Sequence, residues 1–204
     1  MGSIATLSGI LGLAIAGGVN IYLAVLTLGA GIRLGWFQSL PGDLDILAHP
    51  VVLAVAGVFY AADFVADKAP FFTTLWDAVH TVVRPVGVAL LAFGAAAKLD
   101  PLVQALAVLA AGSVALGTHS TKMGVRLAAH AAPEPVTHSA LSIAEDLGVI
   151  GLLVLTFTYP WIAIPVLLGL LLLITLSLWW IGRKVWRFLF GRKDALPAAA
   201  RRAV

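Results

Sequence analysis

The chain has 204 residues, of which 61% are hydrophobic and only 11% are charged, and it contains no cysteine. A soluble domain carries roughly a quarter charged residues, so the composition excludes that class and points to an integral membrane protein. The missing thiols exclude disulfides, thiolate metal sites and cysteine nucleophiles. Seven of the thirteen basic residues follow position 182, and nine acidic residues stand against six basic ones before it. The basic balance therefore belongs to a tail, and nucleic-acid binding has no support in the body.

The apolar runs are continuous rather than alternating, which predicts helices and not a membrane β-barrel. The expected fold class is an all-α polytopic membrane protein with about six transmembrane helices. It forms a single transmembrane domain over 1–182, followed by a basic cytoplasmic tail over 183–204. Residues 4–35 form the first span, longer than one upright crossing requires and interrupted by Gly17-Gly18-Val19-Asn20. No cleavage-site pattern follows a short apolar core, so this reads as a span and not as a removed signal. Residues 36–48 carry the turn signal Pro41-Gly42, and 49–66 is the second span.

Next comes the polar stretch Asp63, Asp67, Lys68, Asp77, His80, Arg84. Residues 71–84 read as a short amphipathic or re-entrant helix, with the third span over 85–99 or beginning nearer Ala78. Asp100-Pro101 starts a second overlong helix, 102–132, with an expected interruption at Gly117-Thr118-His119-Ser120-Thr121-Lys122. Pro133-Glu134-Pro135 stops it. The fifth span covers 137–157. Tyr159-Pro160-Trp161 is an interfacial turn, and the sixth span covers 161–181, ending in the aromatic anchor Trp179-Trp180. Broken first helices at Asn20 and His119, and later carboxylates in each half, suggest inverted three-helix repeats over 4–99 and 101–182.

Ionisable groups inside a membrane need partners or water, and they mark functional sites. Asp63 lies deep in an apolar run, one turn from Asp67. Asp77, His80 and Arg84 fall at i, i+3 and i+7 of one helix. His119, Lys122 and Arg126 share a stripe, from which the two cations either snorkel to the interface or reach inward. Glu145 and Asp146 either pair with Lys68, Arg84, Lys122 or Arg126, or hold a cation. The expected substrate- or ion-binding set is Asn20, Asp63, His119, Glu145 and Asp146. Asp67, Lys68, Asp77, His80, Arg84, Lys122 and Arg126 serve gating or charge balance. No cofactor is evident, and histidine spacing matches no metal motif. Carboxylates and carbonyls suit a hard bound cation better than zinc.

The aromatic and basic residues from Trp179 to Lys193 predict docking on anionic lipid. The expected partners are the bilayer, such lipids and further copies of the same chain. The distribution of lysine and arginine predicts that both termini lie on the cytoplasmic side.

Several stretches resemble an uncharacterised bacterial membrane-protein family, domain of unknown function 4126. They are Gly18 to Leu23, Ala66-Asp67-Lys68-Ala69-Pro70, Trp76 to Thr81 with Arg84-Pro85, Thr118 to Lys122, and Pro133-Glu134-Pro135 with Glu145-Asp146. The resemblance extends to about residue 160. It implies a site at these positions and adds no mechanism. The residues themselves favour a transporter or channel-like protein, cation- or proton-coupled. The alternatives are a membrane-embedded binder or enzyme for a lipid phosphate, and a non-transporting scaffold.

Overall fold

Proline marks the helix starts. Its fixed φ suits the first helical turn, and its missing N–H is one that would find no partner there. Five of the six helices begin on one in the computed structural model, which describes residues 3–37, 40–66, 70–129 and 135–190. The helices are α1 (Ser3–Arg33), α2 (Pro50–Ala66), α3 (Pro70–Ala95), α4 (Pro101–Ala129), α5 (Pro135–Thr158) and α6 (Pro160–Phe190). A short 3-10 turn, Leu44–Ala48, precedes α2. At the start of α4, Asp100 caps the helix, its carboxylate accepting from the Leu102 amide at 2.9 Å.

The protein is an all-helical membrane protein. Five helices are long and apolar enough to cross a bilayer, and α2 is a shorter apolar helix of 17 residues. At 1.5 Å per residue α2 covers about 25 Å, the lower limit for a crossing. Large apolar side chains such as Leu90, Leu106, Leu109 and Leu172 point outward, as lipid-facing residues must. Basic residues meet the aromatic anchor of α6. The Lys184 ammonium sits 3.6 Å from the Trp180 ring centroid, and the Arg183 guanidinium 5.3 Å from that of Trp179.

α1 is the central helix and packs against all five others. Glycines make this possible by letting backbones approach. A Cβ on Gly18 would lie 2.7 Å from the Ala115 carbonyl oxygen and 2.7 Å from Thr118 Cβ, both on α4. On α4, Gly117 and Gly124 admit Ile174, Leu178 and Ile181 of α6. Substituting Gly18→Ala should therefore lower stability by about 1–3 kcal/mol through overpacking. Gly57→Ala, where a Cβ meets open space, should be neutral or stabilising by up to ~1 kcal/mol. Unfolding in mixed micelles reads both, and equal effects would show that the α1–α4 approach is not tight.

Two expectations need correction. Residues 71–84 are not a separate re-entrant helix before a third span at 85–99. They are the first half of α3, which runs straight through Pro85. Proline inside a membrane helix is tolerated where neighbouring helices satisfy the freed groups, and α3 packs on both α1 and α4.

The second correction concerns α4, which is helical through Gly117–Lys122 and is not a broken helix. Its polar residues bond within the helix instead. Thr118 Oγ1 donates to the Val114 carbonyl at 2.9 Å, and Ser120 Oγ to the Leu116 carbonyl at 2.8 Å. α1 packs closely on α5, and no comparably close packing of α4 on α2 stands among the described residues.

Candidate functional site

The site is built on a break in α1. Asn20 has φ −153° and ψ 100°, an extended backbone between two helical segments. Its side-chain oxygen accepts from the Leu23 amide at 3.1 Å, so Asn20 caps the second segment as an N-cap residue does. A broken helix presents a negative end and a positive end to the interior. Both meet complementary charge. The Val19 carbonyl, closing the first segment, accepts from Lys122 Nζ at 3.1 Å. Asn20 Nδ2, opening the second, donates to Asp146 Oδ1 at 3.4 Å.

Around this break lies a first group of charges joining α1, α2, α4 and α5. Glu145 Oε2 receives both Lys122 Nζ at 3.0 Å and Arg126 Nη2 at 2.9 Å. Asp146 Oδ2 accepts from the Tyr60 hydroxyl at 2.8 Å. Lys122 and Arg126 reach inward: each is less than a tenth exposed.

The second group lies one helical turn away, where Asp63 follows Tyr60 on α2 and His119 precedes Lys122 on α4. Asp63, Arg84 and His119 are all fully buried. Arg84 Nη2 donates to Asp63 Oδ1 at 3.0 Å and more loosely to Oδ2 at 3.4 Å. The Trp76 indole adds a second donor to Oδ1 at 2.7 Å. Arg84 Nη1 donates to His119 Nδ1 at 3.1 Å. A guanidinium can only donate, so His119 Nδ1 is an acceptor and Nε2 carries the proton. Nε2 then donates toward the Asp77 carbonyl at 3.2 Å, with Thr81 Oγ1 at 3.3 Å.

His80 is similarly fixed. Its Nδ1 donates to the Trp76 carbonyl at 2.8 Å, leaving Nε2 to accept from the Tyr22 hydroxyl at 3.0 Å. Neighbouring rings hold it in place. Trp76 lies 4.7 Å away, and Tyr22 approaches edge-on at 5.5 Å while stacking on Phe59.

The structure therefore brings together Asn20, Glu145 and Asp146 with Lys122 and Arg126, and separately Asp63 and His119 with Arg84. Asp77 is buried beside the second group. Asp67 and Lys68 lie outside the described residues. Tyr22, Tyr60, Trp76 and Thr81 also belong to the site, although only charged groups, histidines and Asn20 stood out in the sequence. A signal was available. Tyr22 and Tyr60 sit within spans instead of at the interface, where a phenol is usually found, so each hydroxyl needs a buried partner. Trp76 shares the i, i+4, i+8 face of His80 and Arg84. Among the described residues no group of three or more His, Asp or Glu is arranged to hold a metal.

A broken central helix with both ends charge-matched, wrapped by ion pairs from four neighbours, defines a polytopic helical membrane protein with a buried polar core. The chain belongs to the family described as Domain of unknown function (DUF4126), which it matches over residues 7–180. No curated protein and no solved structure matches it.

Proposed function

We propose that this protein is a secondary transporter or channel-like protein whose intramembrane ion pairs exchange partners during transport, with protons or another cation as the coupling species. The observation that carries the reading is the Asn20 break. Discontinuous helices whose ends face opposite charges near mid-membrane are the usual ion and substrate sites of secondary transporters. Asn20 stands 16 residues from the start and 13 from the end of the span Ile4–Arg33.

A transport cycle needs groups that are costly to leave unpaired, yet can change partner or protonation state. Glu145 shared between two cations, and Arg84 shared between Asp63 and His119, meet that need. The lipid-phosphate reading is less favoured, because Arg84, Lys122 and Arg126 are already engaged by carboxylates. Successive helices reverse the chain, so the end that holds Arg183, Lys184 and Arg187 of α6 is cytoplasmic and the end with Arg33 and Lys98 is external. Both termini then lie inside, in the cytoplasmic membrane of a bacterium, with the tail on anionic lipid.

The test is flux in proteoliposomes carrying an internal pH dye, under an imposed pH gradient. Wild-type protein should dissipate the gradient faster than empty liposomes. Glu145→Gln and Asp146→Asn should each slow this by about tenfold or more, the equivalent of losing one charge-assisted hydrogen bond. Undiminished flux in both single variants and in the double variant would remove these carboxylates from the mechanism.

A further inference from the structure

Glu145 does more than close the ion-pair group: it also faces outward into a groove. The groove lies between α1, α5 and α6, has a volume of about 480 Å³, and is lined by Val19, Glu145, Gly148, Gly151, Leu155 and Leu170 among others. That volume falls within the roughly 300–1,000 Å³ of small-molecule sites. Glu145 is its only ionisable lining residue. The shortest contacts of both cations on Glu145 are to the same oxygen, Oε2, and no hydrogen bond to Oε1 stands among the described residues. The groove is thus lined by apolar residues and one carboxylate side chain able to accept a hydrogen bond. Glycines keep it open, since a Cβ on Gly148 or Gly151 would meet nothing within 4 Å.

We infer that this groove is a lateral binding site for a neutral long-chain lipid alcohol, entering from the bilayer with its hydroxyl donating to Glu145 Oε1 and its chain lying along Gly148, Gly151 and Leu155. Three observations select this occupant. Hydrogen-bond donation is what the head must supply, because an ionised carboxylate only accepts. An ammonium head would face the two cations already on Glu145, and a phosphate its carboxylate, whereas a neutral head meets neither repulsion. Depth also matters. Glu145 stands five residues into the span Ala140–Thr158, about 7.5 Å along its axis. A zwitterionic or phosphate headgroup at that depth would leave its own hydration layer at high cost, while a single hydroxyl needs one partner. The groove passes Val19, whose carbonyl is held by Lys122, so an occupant touches both the ion-pair group and the helix break. The inference rests on the transport reading only for the idea that this lipid is cargo. Binding itself stands apart from it.

The experiment uses the full chain in lipid nanodiscs with a dodecan-1-ol carrying a diazirine near its tail end, irradiated and mapped by peptide mass spectrometry. Adducts should fall on residues 148–155 of α5 and 166–170 of α6. The O-methyl ether of the same probe, which cannot donate, should label these positions only at background. Gly151→Leu, whose Cβ meets nothing within 4 Å, should cut the adducts by about tenfold while leaving the background labelling of Leu172 and Leu173 unchanged. Equal labelling by alcohol and ether, adducts spread over all lipid-facing helices, or labelling insensitive to Gly151→Leu would each overturn the site. Groove-specific labelling in a protein that shows no flux keeps the site and overturns the transport reading; flux without groove-specific labelling does the reverse.

Discussion

Arg84→Met should destabilise the protein by about 3–5 kcal/mol, the cost of leaving one partner of a buried ion pair uncompensated. Arg84 lies nine residues into the span Leu75–Ala95, about 13 Å from its start. It is fully buried, as is its partner Asp63. Without the guanidinium, Asp63 keeps only the Trp76 indole as a donor, and His119 loses the donor to Nδ1. Asp63 is fully buried, so a charge stranded there is not solvated and the loss appears in folding.

The decisive control is the double variant Asp63→Asn/Arg84→Met. The amide keeps an oxygen for Trp76 and carries no charge to strand. Replacing a buried pair by neutral groups is often close to neutral in stability, so the double variant should recover most of the loss while proton flux stays abolished. Unfolding in mixed micelles checks the first part and the proteoliposome assay the second. A double variant as unstable as the single one would show that the guanidinium acts through packing and not through Asp63. One that folds and transports normally would make the pair structural only.

The helices were legible because their signals are local. Asp100-Pro101 marks one start, and apolar run length marks the spans. The break at Gly18-Val19-Asn20 was legible too, since a polar cap residue beside two glycines in an apolar run has few other uses. What misled was the same pattern without the same context. Gly117-Thr118-His119 resembles the first break, but Thr118 and Ser120 return their hydroxyls to their own helix and Gly117 serves the contact with α6. Pro85 looked like a helix start because nothing local distinguishes a proline that begins a helix from one embedded in it. Only the neighbouring α1 and α4 decide that.

Pairing was legible only as a set of options. The sequence allowed Glu145 four cations, and the choice of Lys122 and Arg126 depends on how α4 and α5 flank α1. Tyr22 and Tyr60 went unnoticed because a tyrosine's need for a partner shows only once its depth is known.

Lys122 should prove the most sensitive position in the other group, because one ammonium performs two tasks. Its Nζ lies 3.0 Å from Glu145 Oε2 and 3.1 Å from the Val19 carbonyl at the end of the first α1 segment. Lys122→Met removes both interactions at a site that is nine-tenths buried. Arg126 still neutralises Glu145, so the expected cost is about 3 kcal/mol, the lower end for a broken buried pair. The effect should also be local. Hydrogen exchange over 19–24 should rise, since the carbonyl end of the first segment loses its cation while Asn20 still caps the second. Lys122→Arg should not restore the wild type: a planar fork cannot replace a compact ammonium set between a carbonyl and a single carboxylate oxygen. In a cycle with Glu145→Gln, the coupling energy should be about 1–3 kcal/mol, as for residues in one buried network. If Lys122→Met leaves exchange over 19–24 unchanged, the helix break holds itself through Asn20 alone. The ion pairs would then be bystanders to the break, and a transport cycle that works by moving Lys122 between Val19 and Glu145 would have no basis.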